Sequence, residues 1–296
     1  MRIVVAGSSG FVGTHLLPHL RDEGHEVLTL VRRTPRAGHE IEWDPSTGTL
    51  DVERLAGVDA AVNLAGAPLA GKRWDASYKR TLRSSRTDST RTIAQALAEV
   101  GSRVLVQASA MGYYGQHHSN DIITETDSAG KDFTADLCVD WEAAARPAAE
   151  AGIRVAYLRT SLVMGPDGGA FEPVLRTIKL GIGGRMGSGK AWWSFITMPD
   201  MLGAISFLLT EDVDGPVNLA APEPATNAQL TKQIAQEFHR PSLAVVPAPV
   251  LRLVIGEFAD EILASRRLDP RVLLDAGYSF KHPDSRSAAQ WLAGQN

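Results

Sequence analysis

The sequence predicts an α/β protein built on a doubly wound parallel sheet, followed by a small C-terminal lobe. Short apolar, β-branched runs alternate with segments of helical length through the first half of the chain. A glycine-rich turn follows the first run, and the alternation loosens after Pro166. Alternation of this kind implies right-handed crossovers and a sheet covered by helices on both faces.

Residues 3–6, 26–31, 60–64, 103–108 and 155–159 read as buried strands, being short, apolar and bounded by turn residues. Residues 12–23, 78–100 and 134–151 have the spacing and length of helices. Beyond them, "GPDGGAFEPVLRTIKLGIGGRMGSGKAWW" is too apolar for a solvated tether and reads as a folded loop-and-helix lobe. A helix over 200–209 with Asp200 as its N-cap comes next, then a strand-like "PVNLAA" and a helix over 227–238. The tail carries two amphipathic helical segments.

A chain of 296 residues accommodates one α/β core and a smaller lobe, at ~100–200 residues per domain. With 44% hydrophobic and 22% charged residues it buries a sizeable core, and its net charge of -4 argues against nucleic acid or an anionic membrane as main partner. The lone Cys138 excludes an internal disulfide or a thiolate zinc cluster. The opening "MRIVVAG" goes straight into a strand. The most apolar run, "AVVPAPVLRLVIG", is broken by Pro247, Pro249 and Arg252, short of the ~20 residues of a membrane span. The expectation is a soluble cytoplasmic protein with a small-molecule substrate.

The first strand runs into "GSSGFVG". Gly7 permits a tight turn, Gly10 lets the backbone approach a pyrophosphate, and Gly13 lets the next helix pack on the sheet. The N–H groups around Ser9, Phe11 and Val12, with the helix dipole, would meet the phosphates. In this strand–turn–helix setting the motif predicts a dinucleotide-binding Rossmann domain over residues 1–165, with strand and helix contributions from about 195–240. Residues 166–296 would then be mostly substrate lobe and C-terminal module. The second strand ends at Val31, and Arg32 and Arg33 follow where NAD enzymes carry an acid for the ribose 2′-hydroxyl. Paired guanidiniums suit a 2′-phosphate, so NADP is the expected cofactor. Solvated charge at a strand end is the other reading.

The stretches "GSSGFVG", "DAAVNLAGAPLAGKRW", "SSRTDSTR", "SAMGYYG", "LRTSLVMGP", "SFITMPDM" and "NLAAPEPATNAQL" together resemble the extended short-chain dehydrogenase/reductase superfamily, and most of all an atypical, epimerase-like subgroup. "LDPRVLLDAGYSFKHPD" is similar to a small C-terminal module of that subgroup. The resemblance implies that Leu64 and Ala65 pass along the cofactor and that backbone at 160–163, including Val163, meets the nicotinamide carboxamide. Arg86 stands where better-known members have an asparagine. It reads either as a cation for the cofactor phosphates or as a helix-surface arginine. Arg159 reads equally as a structural partner for a buried carbonyl.

In that superfamily a tyrosine moves a proton as hydride moves, a lysine one helical turn later lowers its pKa, and a serine or threonine binds the substrate oxygen. Ser109 matches the serine. Counted from Trp141 and Glu142, the tyrosine and lysine positions hold Thr134 and Cys138, so the usual relay is missing. Tyr113 and Tyr114 remain as candidate phenols, with His117 or His118 as acid or tuning charge. A packed loop anchor and an exposed polar loop are the respective alternatives. His15 and His19 have metal-ligand spacing but no third ligand near in sequence, so no metal is expected. Trp192 and Trp193 either line the substrate cleft or fill the lobe's core. The basic "GKRWDASYKRTLRSSR" lies along the cofactor or at a homodimer seam. The expected function is NADP-dependent, epimerase-like or oxidoreductase hydride transfer on an unidentified metabolite. The alternative is an NADP-binding regulatory or sensor protein without turnover.

Overall fold

Strands buried on both faces read as continuous apolar runs rather than alternating ones, and the five expected runs form the centre of one sheet. The computed structural model describes residues 1–116 and 120–295. In chain order the strands are β1 (Arg2–Ala6), β2 (Glu26–Val31), β3 (Glu40–Asp44), β4 (Thr49–Leu50), β5 (Ala60–Asn63), β6 (Val104–Ala110), β7 (Ile122–Ile123) and β8 (Arg154–Thr160). Then come β9 (Leu162–Met164), β10 (Gly184–Met186), β11 (Trp192–Trp193), β12 (Phe195–Thr197) and β13 (Gly215–Leu219). The central sheet runs β13-β8-β6-β5-β1-β2-β3-β4, parallel except where β4 turns back on β3. Strand order reverses between β1 and β5. In such sheets ligands sit beyond the strands' C-terminal ends at that point.

Alternate residues of each strand feed opposite cores. Ile3 and Val5 pack with Leu16 and Leu20 of α1 (Phe11–Asp22) on one face. Val4 and Ala6 pack with Ile93 and Leu97 of α2 (Ala76–Val100) on the other. Asp75 caps the start of α2, and Gly101 ends it in the left-handed region at φ 68°. The expected helix over 134–151 divides into α3 (Phe133–Ala143) and α4 (Arg146–Glu150). Pro147 sits in the first turn of α4, where its missing N–H costs nothing, but it cannot continue α3.

After α5 (Glu172–Lys179), the chain returns to the main body. There α6 (Met198–Thr210) packs on α1, and β13 extends the sheet beside β8. The cap of α6 is Thr197, not Asp200 as the sequence suggested. Asp200 lies inside the helix, fully buried, and accepts the Lys281 and His282 N–H groups at 2.6 and 3.0 Å. The next helix, α7 (Asn227–Glu237), packs with α5 and α11 (Ser285–Ala293) around Phe171, Trp193, Phe195 and Leu230. Between them lie α8 (Ala248–Ile255), α9 (Phe258–Leu263) and α10 (Arg271–Asp275). No helix among the described residues is long and apolar enough to cross a membrane.

Candidate active-site cavity

Backbone crowding makes the opening turn a cradle. Gly7 adopts φ 77°, and a Cβ there would lie 2.6 Å from the Leu64 carbonyl carbon. At Gly13 it would lie 2.3 Å from the Gly7 carbonyl oxygen. Gly10 precedes α1 in extended backbone and offers no side-chain bond, so the first N–H groups of α1 and its positive dipole end are free for phosphate. Ser9 is exposed, while Phe11 and Val12 are half buried. The Phe11 ring is enclosed by Gly165, Gly168 and Gly169, where added Cβ atoms would approach it to 2.6, 2.8 and 2.5 Å. The Leu64 N–H reaches the Ala6 carbonyl, and the Ala65 N–H reaches Asn63 Oδ1.

Past Val31 the two arginines part company. Arg33 donates from Nη1 and Nη2 to the Glu40 carboxylate at 2.9 and 2.6 Å, and this fork, with the Arg36 N–H, holds Glu40 down to about 2. Arg32 is exposed and unpaired among the described residues. The expected pair for a 2′-phosphate is thus corrected: Arg33 is committed to the first residue of β3, and Arg32 alone is free.

A cavity of about 300 Å³ opens beyond the ends of β6 and β8. Phe11 and residues 160–163 form its floor, and Val163 is among them. Thr134, Cys138 and Trp141 of α3 form one wall, and Trp192 and Trp193 another. Phe258, Glu261 and Arg266 from the C-terminal segment close it. Nothing in the periodicity of that segment marked these three, because Arg266 lies between elements and α9 is under two turns long. His15 and His19 are half buried on α1, 3.2 Å from Asp167 and 3.4 Å from Glu23.

Arg86 lines this cavity at 7% exposure, with Nη1 on the Leu82 carbonyl and its guanidinium 4.9 Å over the Trp141 ring. Burial holds its pKa below the ordinary arginine value, and no carboxylate pairs with it among the described residues. The other buried guanidiniums are compensated: Arg159 binds Glu142, and Arg266 binds Glu261. An isolated buried charge costs several kcal/mol, on the order of 3–5 when a partner is removed. Arg86 is not a helix-surface residue. A guanidinium so placed can accept an anionic partner.

The positions of the superfamily's tyrosine and lysine, Thr134 and Cys138, both face the cavity. Burial pushes the Cys138 thiol up to about 12, so it stays neutral. The hydroxyls expected to meet substrate lie elsewhere. Ser109 donates to Glu142 Oε1 at 2.6 Å, behind the wall. Tyr114, 1% exposed, donates to Asn218 Oδ1 at 2.6 Å, and burial, outweighing the nearby Arg159, pushes its phenol above the usual range. The Tyr113 ring lies against Arg159, 3.4 Å from Cζ to centroid. Arg159 also donates to the Glu125 carbonyl at 3.2 Å, the buried-carbonyl partnership the sequence left open. These residues therefore form one polar cluster supporting the Met111–Gly112 backbone, which does line the cavity. His117 and His118 fall outside the described residues.

The chain has relatives in sequence and in structure. Residues 3–220 match the NAD dependent epimerase/dehydratase family, and residues 246–292 match a domain of unknown function, DUF1731. The chain is 41% identical over 282 residues to the epimerase family protein Mb2239 of Mycobacterium bovis, covering 95% of this chain and 93% of that one. It is similar to the crystal structure of human epimerase family protein SDR39U1, solved with NADPH, at a TM-score of 0.92 and 30% identity with both chains covered completely. It also resembles a nucleoside-diphosphate sugar epimerase from Corynebacterium glutamicum, with a TM-score of 0.82 and 31% identity over 99% of this chain and 58% of the other. By the family match over residues 3–220 and the identity to the mycobacterial protein, the chain belongs to the NAD dependent epimerase/dehydratase family.

Proposed function

We propose that the chain is an NADP(H)-dependent oxidoreductase acting on a small, largely apolar carbonyl or alcohol substrate. The observation that carries this reading is the buried Arg86, paired with no carboxylate among the described residues, in a cavity that begins at the phosphate-loop helix. The residues present fit the cofactor. Gly7, Gly10 and Gly13, with the N–H groups from Ser9 to Val12, hold the pyrophosphate. Arg32, beside Val31, would hold the 2′-phosphate, and Arg86 would neutralise phosphate charge. Leu64, Ala65 and Val163 flank the dinucleotide. NADPH in the human relative supports the same cofactor here. The bound nicotinamide supplies hydride chemistry, while Trp192, Trp193 and Phe258 exclude water and favour a flat, apolar body. On this reading Ser109, Tyr113 and Tyr114 position the Met111–Gly112 backbone instead of touching substrate.

Titration of purified chain with NADPH and NADH tests the cofactor. NADPH should bind at least tenfold more tightly, and Arg32→Ala should abolish that preference while Arg33→Ala leaves it. Equal affinities in the wild type would refute the 2′-phosphate assignment. The neutral Thr134 and Cys138 at the dyad positions favour one second reading, a sensor that binds NADP(H) without turnover. Tight NADPH binding with no cofactor oxidation across a carbonyl panel would select it.

A further inference from the structure

An apolar helix ordinarily turns its side chains to a core. α8 does not: none of its eight residues is buried, and Val250, Leu253 and Val254, at helical spacing, are exposed. The surface extends upstream of it. β10 pairs in parallel with Ala244–Val246, and Arg185 lies opposite Val245. Partners in a ladder share a face, as do residues two apart along a strand, so Leu243, Val245 and Arg185 occupy its exposed side. A Cβ at Gly181 would lie 3.7 Å from Pro241 Cδ, which sets Leu180 and Ile182 beside the approach to that strand. Of the ten large apolar side chains exposed among the described residues, seven fall on these segments.

Positive charge gathers on the same segments. Residues 172–190 and 237–255 carry six lysines and arginines against two glutamates, in a chain whose net charge is -4. Arg176 and Arg240 are exposed and make no ion pair among the described residues, and Arg185 donates to the Ser188 carbonyl at 3.3 Å. The acids that follow are already engaged: Glu257 pairs with Lys79 and Asp260 with Arg252. The charge of the whole chain, which argues against an anionic surface, does not describe this face.

We propose that this face of the C-terminal lobe docks on an anionic lipid surface. The leucines and valines enter the boundary between headgroups and acyl chains, while Arg176, Arg185 and Arg240 meet lipid phosphates. Charge decides against a second copy of the chain. An isologous pair sets a patch against itself, which here opposes arginines to arginines, and like charges so opposed repel. Shape decides against a preformed groove. Leu243 is 88% exposed, Leu253 74% and Leu180 71%, and they project from separate short elements, as points that a fluid apolar layer takes up without a matching socket. The contact is interfacial, since no helix among the described residues is long and apolar enough to cross a membrane. The inference is independent of the redox reading.

The test sediments the full chain with vesicles of phosphatidylcholine alone and with vesicles of equal parts phosphatidylcholine and phosphatidylglycerol. Wild type should partition onto the anionic vesicles and scarcely onto the neutral ones, and raising the ionic strength to about 1 M, where charges are screened within about 3 Å, should weaken the binding. Each cation near such a surface contributes about fivefold, so the triple variant Arg176→Ala, Arg185→Ala, Arg240→Ala should lose about 100-fold. The double variant Leu243→Ser, Leu253→Ser should lose at least about tenfold, the order of burying one leucine. Both should keep the wild-type Tm, and Leu274→Ser, an exposed leucine on α10, should bind as wild type does. Equal binding to the two vesicle types would overturn the anionic assignment, and binding undiminished in both multiple variants would overturn the choice of face. No sedimentation with either vesicle would overturn docking on lipid. If the chain then ran as a dimer in analytical ultracentrifugation and Leu253→Asp made it a monomer, the face would belong to a second copy instead.

Discussion

Single residues divide sharply into those legible in the sequence and those that are not. The roles of Gly7 and Gly13 follow from a motif because they depend only on local backbone, and Gly13→Ala should push Cβ into the Gly7 carbonyl, 2.3 Å away. We expect that variant to lose NADPH binding by more than tenfold in a fluorescence titration, with a lowered Tm. Ser109 and Tyr114 were recognisable as hydroxyls near the site, but their direction depends on Glu142 and Asn218, residues 33 and 104 positions away. No local pattern encodes that. Ser109→Ala should therefore cost about 2 kcal/mol of stability, the range of a hydrogen bond to a charged group, while changing single-turnover rate less than threefold. Arg159→Leu strands the half-buried Glu142 carboxylate and should cost about 3 kcal/mol in urea denaturation. A large rate loss in Ser109→Ala with unchanged stability would restore the catalytic reading of that serine.

At the scale of elements, strands and long helices were readable because burial on both faces and 3.6-residue spacing leave continuous or periodic signatures. The short connectors were not. Ile122–Ile123 pairs with Arg267–Leu268 across 145 positions, and the loop that follows carries Glu125 into the interior. There Glu125 Oε1 accepts the Asn218 N–H at 3.0 Å and the Val272 N–H at 3.3 Å, tying β13 to α10. Burial raises its carboxyl above the ordinary 4.5 despite those donors. The folded state thus binds this proton more tightly than the unfolded chain, and its contribution to stability falls as pH rises from 4.5 through the raised value. Glu125→Gln keeps the accepting oxygen and removes the titration. Urea midpoints between pH 4 and pH 7 should show the variant at least as stable as wild type at pH 7, with the gap closing towards pH 4. A gap that widens on acidification would contradict this sign. The α8–α9 segment is held from the nucleotide-binding side by contacts that include Arg73 on the Leu253 and Val254 carbonyls, the Lys79–Glu257 ion pair at 2.6 Å, the Trp74 ring 5.6 Å from that of Phe258, and the Thr134 hydroxyl on Glu261.

For the whole molecule, the doubly wound plan was legible and the completeness of the site was not. The first 165 residues contain the phosphate cradle, yet the acid, the guanidinium and the aromatic cap that close the cavity come from Phe258, Glu261 and Arg266. Long-range closure of this kind leaves no trace in periodicity, and it makes the two family-matched segments one working unit. The same unity shows at Phe11. Its ring starts the cofactor helix, lines the cavity, and sits in a socket of three glycines from the second half of the chain. A methyl group added at residue 165 or 168 must displace that ring, and because the ring borders the cavity the displacement reshapes the cavity's floor.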